Sequence, residues 1–173
     1  MRFLLATNHL LGWTGSEITV ATLAGVLRTA GHEVMVYAPF WSAPDIGQRL
    51  LGDTAATSQL AEVTRFAPDA AYTQHHTVVT AVRATLPACP IAHALLGVTP
   101  HLEQPPRLDL GIETFLAISE EVAQALVTTG IEPGRIRLFR NLVDDTMFNA
   151  APAGRLRTVV CFSYKLGTTD LEA

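Results

Sequence analysis

The chain has 173 residues, 49% hydrophobic and 16% charged, with a formal net charge of -4. That length suits one well-buried core and is short for two, and the composition excludes a disordered, highly solvated chain. Its 12 basic and 16 acidic residues are scattered. The electrostatic footprint of a nucleic-acid binder is therefore missing.

The apolar start at Met1–Ala6 stops at Asn8-His9, too soon for a signal-peptide core, and no small-residue cleavage site follows. No apolar stretch approaches the length of a membrane span. The chain is read as cytoplasmic and soluble, with peripheral membrane contact left open. Cys89 and Cys161 stand far apart in apolar surroundings. They suit reduced core thiols better than a disulfide or a metal site.

Arg2–Thr7 has the form of a buried parallel strand. Ser16–Ala30 follows as a helix, because Val20, Leu23, Leu27 and Ala30, with Ala24 and Val26, recur at helical spacing. Thr14 and Glu17 form a capping-box pattern at its start, and Gly31 stops it in the left-handed position that glycine tolerates. Glu33–Ala38 is the second strand, so a βαβ unit is complete within the first forty residues. The alternation continues with a helix over Thr57–Phe66, a strand at Asp69–Thr73, a helix at Val78–Leu86 and a strand at Pro90–Leu95. Thr114–Ile118 is a strand, Glu120–Thr129 a helix capped by Ser119 and ended by Gly130, and Arg135–Phe139 a last strand. This order predicts an α/β, doubly wound, Rossmann-like parallel sheet.

Phe40–Thr54, with Trp41, Pro44, Gly47 and Gly52, reads as a loop holding at most one helical turn. Gly97–Gly111 carries three prolines, His101 and Arg107, and is longer than most α/β connections. Small residues at 150–154 suggest a linker, dividing a domain at 1–150 from a linker and truncated second domain at 151–173. Thr158–Ser163 reads as a first strand of the latter.

Chemistry is sought on the loops at the carboxyl ends of the strands, where open α/β sheets bind ligands. The loop Asn8–Gly15, containing Gly12, Thr14 and Gly15, leads into a helix N-terminus, whose N–H groups favour anions. The competing reading is a turn that merely closes the connection. A dinucleotide site is disfavoured, because the spacing is not G-x-G-x-x-G and Pro39, Phe40 and Trp41 stand where the acidic ribose ligand belongs. His75 and His76 follow the third strand. On an extended backbone at most one of them faces the cleft, as a proton-handling or hydrogen-bonding group, against a purely structural helix-start histidine. His93, inside a strand, reads as a core residue. Glu120-Glu121 suits the helix dipole, Asp144-Asp145 suits loop capping, and no cluster completes a metal site.

The ordered features resemble the N-terminal domain of retaining GT-B glycosyltransferases of the family 4 type. Thr14-Gly15-Ser16-Glu17, then a helix, then Ala30-Gly31-His32-Glu33-Val34, is similar to that family's G-G-x-E and G-H-E-V opening. Pro68-Asp69 matches its lead-in to strand three. Phe115–Ser119, Gly130-Ile131, Arg135-Ile136 and Asn141-Leu142-Val143-Asp144 with Phe148 follow its later series. The resemblance implies the N-terminal half of a GT-B fold and a hexosyl transfer from a nucleotide sugar to a glycan, lipid or small-molecule acceptor. It implies no cofactor and no metal. It also implies that donor contacts lie mainly in a missing C-terminal domain, leaving this chain alone inactive. Gly12, Thr14, Gly15 and Gly97 are the expected donor-phosphate or acceptor contacts, and His75, His76 and His101 the catalytic candidates. Three positions depart from the pattern: Thr14 replaces a glycine, Leu142 replaces another, and Leu96 stands where a histidine often precedes the glycine. The last supports an alternative, a non-catalytic carbohydrate- or nucleotide-binding domain on the same scaffold. A flavodoxin-like or response-regulator reading lacks its acidic cluster.

Overall fold

The structure, a computed structural model, describes residues 1–41, 49–98, 101–106 and 110–142. The expected linker and domain division near 150, the strand at Thr158–Ser163, Asp144-Asp145, Phe148 and Cys161 lie outside the described residues. So do Pro44, Gly47 and Arg107.

Met1–Leu142 forms one compact unit. Its elements run β1 (Arg2–Ala6), β2 (His9–Leu10), α1 (Gly15–Thr29), β3 (Glu33–Tyr37), β4 (Phe40–Trp41) and β5 (Ala55–Thr57). They continue with α2 (Leu60–Phe66), β6 (Ala70–Gln74), α3 (His76–Thr85), β7 (Ile91–Leu95), β8 (Thr114–Ala117), α4 (Glu120–Thr128) and β9 (Ile136–Leu138). Seven strands make one sheet in the order β5-β3-β1-β6-β7-β8-β9. Every pairing in it is parallel. This is the doubly wound arrangement expected from the sequence. Among the described residues no helix is long and apolar enough to cross a membrane.

Alternation along each strand divides the core between two faces. Leu4, Ala6, Ala71, Ile91, Phe115 and Ala117 pack with Val63 of α2, Val78 and Val82 of α3, and Val122 and Leu126 of α4. Leu5, Val34, Val36, Tyr72 and Ala94 pack on the other face with Val20 and Ala24 of α1. Leu4 and Leu5 are both fully buried, which is why β1 reads as a continuous apolar run. Each such leucine contributes about 1.5–3 kcal/mol of burial.

Helix ends follow local chemistry. Thr14 and Glu17 form the capping box of α1, and Ser119 Oγ accepts from the Val122 N–H at the start of α4. At the other end of α1, Gly31 N–H donates to Arg28 O at 2.9 Å and His32 N–H to Leu27 O at 3.0 Å. This Schellman closure needs the positive φ of 83° that Gly31 adopts.

Four local expectations shift. Ala55–Thr57 is a strand, and the helix expected from Thr57 starts at Leu60. Three small residues carry no apolar signal, and they become a strand only by pairing with the edge of β3. Thr57 Oγ1 then accepts the Gln59 N–H at 2.9 Å, turning the chain into α2. The third and largest shift is a two-stranded parallel ribbon, β2 with β4, formed from two segments read as loops. The fourth is α3, which begins at His76, two residues before its expected start. Cys89 is a buried free thiol, in keeping with a core role.

Arg83 closes the carboxyl end of α3. Its guanidinium donates to the carbonyls of Leu110, Pro87, Cys89 and Gly111 and faces Glu113 at 3.4 Å. Glu113 in turn accepts the Ile91 N–H at 2.7 Å, so one cation and one anion tie α3 to β7 and β8.

Candidate functional site

The sheet order reverses between β1 and β6, because the chain builds outward to β3 and β5 on one side and to β7, β8 and β9 on the other. Loops leaving β1 and β6 run to opposite sides there, and such a switch point at the carboxyl ends of the strands is where open α/β sheets place a ligand crevice. The residues that meet at this point are Thr7, Asn8 and His9 after β1, Ser16 and Glu17 on α1, and Gln74, His75 and His76 at the end of β6.

The loop between β1 and α1 is wrapped around an internal anion. Glu17 is fully buried, and its Oε1 accepts the N–H groups of Leu11 and of Gly12, the latter at 2.9 Å. Its Oε2 accepts the Thr14 N–H at 2.9 Å. Burial alone would raise the Glu17 pKa, but hydrogen bonds from Thr14, Gly12 and Leu11 outweigh it and hold the carboxyl below its ordinary value. The N–H groups of Gly12 and Thr14 are thus committed to the protein's own carboxylate. The capping box takes the Glu17 N–H and the Thr14 hydroxyl as well, so a ligand is left the N–H groups of Gly15 and Ser16, which have no intrahelical acceptor, and the Ser16 hydroxyl, 3.2 Å from that of Thr14. Gly15 is exposed, and a Cβ at this residue or at Gly12 would meet no atom within 4 Å. Open space therefore lies over the backbone where a phosphate would approach.

Gln74 ties this helix end to the sheet. Its Nε2 donates to Ser16 O at 2.7 Å and to Thr7 Oγ1 at 3.1 Å, while Oε1 accepts from Tyr72 Oη at 3.3 Å. All of this network is buried inside the sheet edge, so the first turn of α1 is fixed to β1 and β6.

His75 and His76 part company in the way an extended backbone would not produce. His75 is the N-cap of α3, with a φ of 72° that a side-chain-bearing residue adopts at a cost of about 1–3 kcal/mol. It is 3% exposed. Its Nδ1 accepts the Asn8 N–H at 3.2 Å, which places the ring proton on Nε2. Desolvation, with the nearby His9 and His76, lowers its pKa to about 4, so it is neutral at pH 7. His75 is therefore a buried brace for the Asn8 loop. His76 opens α3, is half-buried, and its Nδ1 donates to Leu102 O at 3.2 Å, leaving the lone pair on Nε2. Its ring packs edge-on against His101 at 5.1 Å, so two of the catalytic candidates adjoin each other at the 3-10 turn His101–Glu103.

His93 has the core role expected of it. It is 1% exposed, pairs through Nδ1 with Thr73 Oγ1 at 2.9 Å, and has a pKa lowered to about 3, chiefly by desolvation. Gly97 and Leu96 are half-buried just beyond β7, at the same sheet edge. Among the described residues no group of three or more His, Cys, Asp and Glu could hold a metal ion.

The residue that sequence reasoning missed is His9. Its ring stacks on His75 at 5.3 Å, and Asn8 Nδ2 donates to its Nδ1 at 3.4 Å. Thr77 Oγ1 orients Asn8 in turn by donating to Oδ1 at 3.0 Å. The available signal was positional, since His9 follows β1 as His75 follows β6. Glu17 was legible as a helix cap but not as the anion that organises the loop.

No protein-family model matches the sequence, and no curated protein is significantly similar to it. Solved structures share its fold. HepE from Anabaena, in complex with UDP and glucose, superposes with a TM-score of 0.67 at 12% identity, covering 87% of this chain and 47% of that one. The lipopolysaccharide outer core galactosyltransferase WaaB gives 0.66 at 10% identity, over 83% of this chain and 46% of that one. A UDP-N-acetylglucosamine 2-epimerase gives 0.58 at 14% identity, over 90% and 52%. The chain spans about half the length of the structures it matches. At such identities the likeness establishes the fold, a Rossmann-like α/β domain matching GT-B folds.

Proposed function

We propose that this chain forms the acceptor-side half of a cytoplasmic GT-B glycosyltransferase, which moves a sugar from a nucleotide-sugar donor to an acceptor hydroxyl. The observation that carries the reading is the strand-order reversal between β1 and β6, with open space over the α1 N-terminus at Gly15 after β1 and the adjoining rings of His76 and His101 after β6. Structures of the same fold include one solved with UDP and glucose and one described as a galactosyltransferase. The ordered sequence motifs favour the retaining, family 4-like branch and a hexosyl donor. The reading requires no metal or cofactor.

In this scheme Gly15 admits the donor phosphates to the main chain. His76 Nε2, with its lone pair, is the group suited to take a hydroxyl proton, and His75 holds the loop. Donor and acceptor must be held together for transfer, and positioning supplies a large part of such rate enhancements. The second reading, a non-catalytic carbohydrate- or nucleotide-binding domain, draws on Leu96 in place of a histidine and on the burial of His75 and His93.

Residues 1–173 are expected to bind UDP- and GDP-sugars at millimolar affinity or weaker, about -4 kcal/mol, because few contacts offset the freedom lost on binding. Amide chemical shifts should move at Gly15 and its neighbours. Gly15→Val should remove these shifts with an unchanged melting temperature, since the added side chain meets open space. Micromolar binding by the unaltered chain would favour the binding-module reading. Shifts that survive in the valine variant would place the donor elsewhere.

A further inference from the structure

The β2/β4 ribbon has two unlike faces. His9 pairs with Phe40 and Leu10 with Trp41, and successive side chains of a strand point to opposite sides. Leu10 is fully buried and Trp41 packs into the same core, its Nε1 donating to Ala38 O at 2.7 Å. The ribbon is therefore anchored from behind. His9 and Phe40 share the other face, and His9 ties it to the end of β6 by stacking on His75.

Exposed apolar side chains accompany Phe40 in the segment that follows β2. Leu11 is 46% exposed, Trp13 63%, Ile18 42% and Phe40 58%. These are four of the eight large hydrophobic residues that stand exposed among the described residues, and they fall within residues 11–18 and in β4, the strand paired with β2. Exposed apolar residues scattered singly over a surface need no explanation, whereas half of them drawn from one βα loop, the helix turn after it and the strand paired with β2 do.

We propose that this face is a subsite for the apolar portion of a neutral amphipathic acceptor, such as an alkyl or aryl glycoside, an inference that rests on the transferase reading above. Size argues for a small molecule. The four exposed side chains offer roughly 400 Å², about half of the roughly 800 Å² that each partner buries in a standard protein interface. Charge argues against a bilayer. Neither 8–14 nor 38–41 contains a lysine or arginine, and the chain carries a net charge of -4, so anionic headgroups find no partner here. A hydrocarbon or aryl group on the ribbon would leave its sugar beside His9, Asn8 and Thr77, where hydroxyls find donors and acceptors.

The test is an amide chemical-shift titration of residues 1–173 with octyl β-glucoside below its micellar concentration, set against methyl β-glucoside. Saturable shifts confined to residues 9–13 and 40–41 are expected with the octyl compound, with at least ten-fold weaker binding of the methyl one. Phe40→Ser and Leu11→Ser should each weaken octyl binding five-fold or more without lowering the melting temperature, because both side chains are exposed. Equal binding of the two glycosides, or full affinity in both variants, overturns the proposal. So does adsorption to phosphatidylcholine vesicles through these residues, or concentration-dependent dimerisation through them. UDP, titrated separately and read at Gly15, tests the transferase reading alone. If UDP fails while octyl glucoside saturates, the amphiphile site stands without its acceptor role. The reverse pattern removes the subsite and leaves the transferase reading in place.

Discussion

Glu17→Ala is expected to destabilise the domain by about 2–4 kcal/mol, far more than an ordinary helix-cap substitution. The substitution leaves the N–H groups of Leu11, Gly12 and Thr14 without their shared acceptor. Hydrogen bonds to a charged group contribute about 1.5–3 kcal/mol each in favourable cases. The net loss is smaller than three such bonds because Leu11 is exposed and Gly12 half-buried, so water can replace the carboxylate for part of the loop. Glu17→Gln keeps the shape but turns an amide donor toward one of the three backbone donors, so a loss of about 1–2 kcal/mol is expected. Urea unfolding of the three proteins measures the order directly. Amide exchange at Leu11, Gly12 and Thr14 should accelerate before the rest of the sheet opens. A Glu17→Ala protein within 0.5 kcal/mol of the parent would show that the carboxylate does not organise this loop.

The second large effect concerns acid. His75 and His93 are held neutral, with pKa values lowered from 6.5 to about 4 and about 3, first by desolvation. Unfolded, both protonate near the ordinary value, so between there and their folded values the unfolded state binds more protons. Stability therefore rises with pH across that window and is lost as the pH falls from 6.5 towards 4 and 3. Each group removes about 1.4 kcal/mol per pH unit within its window. Together they cost several kcal/mol by pH 4, a large part of the 5–15 kcal/mol typical of a domain. Glu17 acts in the same direction, because its lowered pKa makes its contribution fade as the pH drops below the carboxylate range. Denaturation midpoints at pH 7, 5.5 and 4.5 should fall steadily, and neither imidazole should titrate in the folded protein above pH 5. A ring signal of His75 or His93 that titrates near 6.5 would contradict this account.

What the two effects share is a polar cluster at one end of the strands, and its two kinds of information differ in how far they reach along the chain. The caps of α1 and α4, the stop at Gly31 and the buried strand β1 depend on residues within a turn of one another, or on a simple period. They were legible because capping and alternation are local physics. Leu4 and Leu5 announce a strand buried on both faces whatever surrounds them. Ala55–Thr57 announces nothing, and becomes a strand only because β3 offers an unpaired edge. The same holds for His9–Leu10 and Phe40–Trp41, each too short to form without the other.

The sequence by itself determined the alternation of strands and helices, the capped starts of α1 and α4, and the placing of Gly15, His75 and His76 at the sheet's carboxyl edge. Tertiary structure alone decided what those residues do there. Asn8 meets His75 across 67 residues, and Ser16 meets Gln74 across 58, so no window of sequence contains both partners. Burial then decides the chemistry. Two adjacent histidines of identical intrinsic basicity become a neutral brace and a half-buried cleft residue, because one is desolvated under the loop and the other faces the His101 turn. Solvation and long-range pairing depend on the folded chain's density and topology, which a linear pattern of residues does not contain.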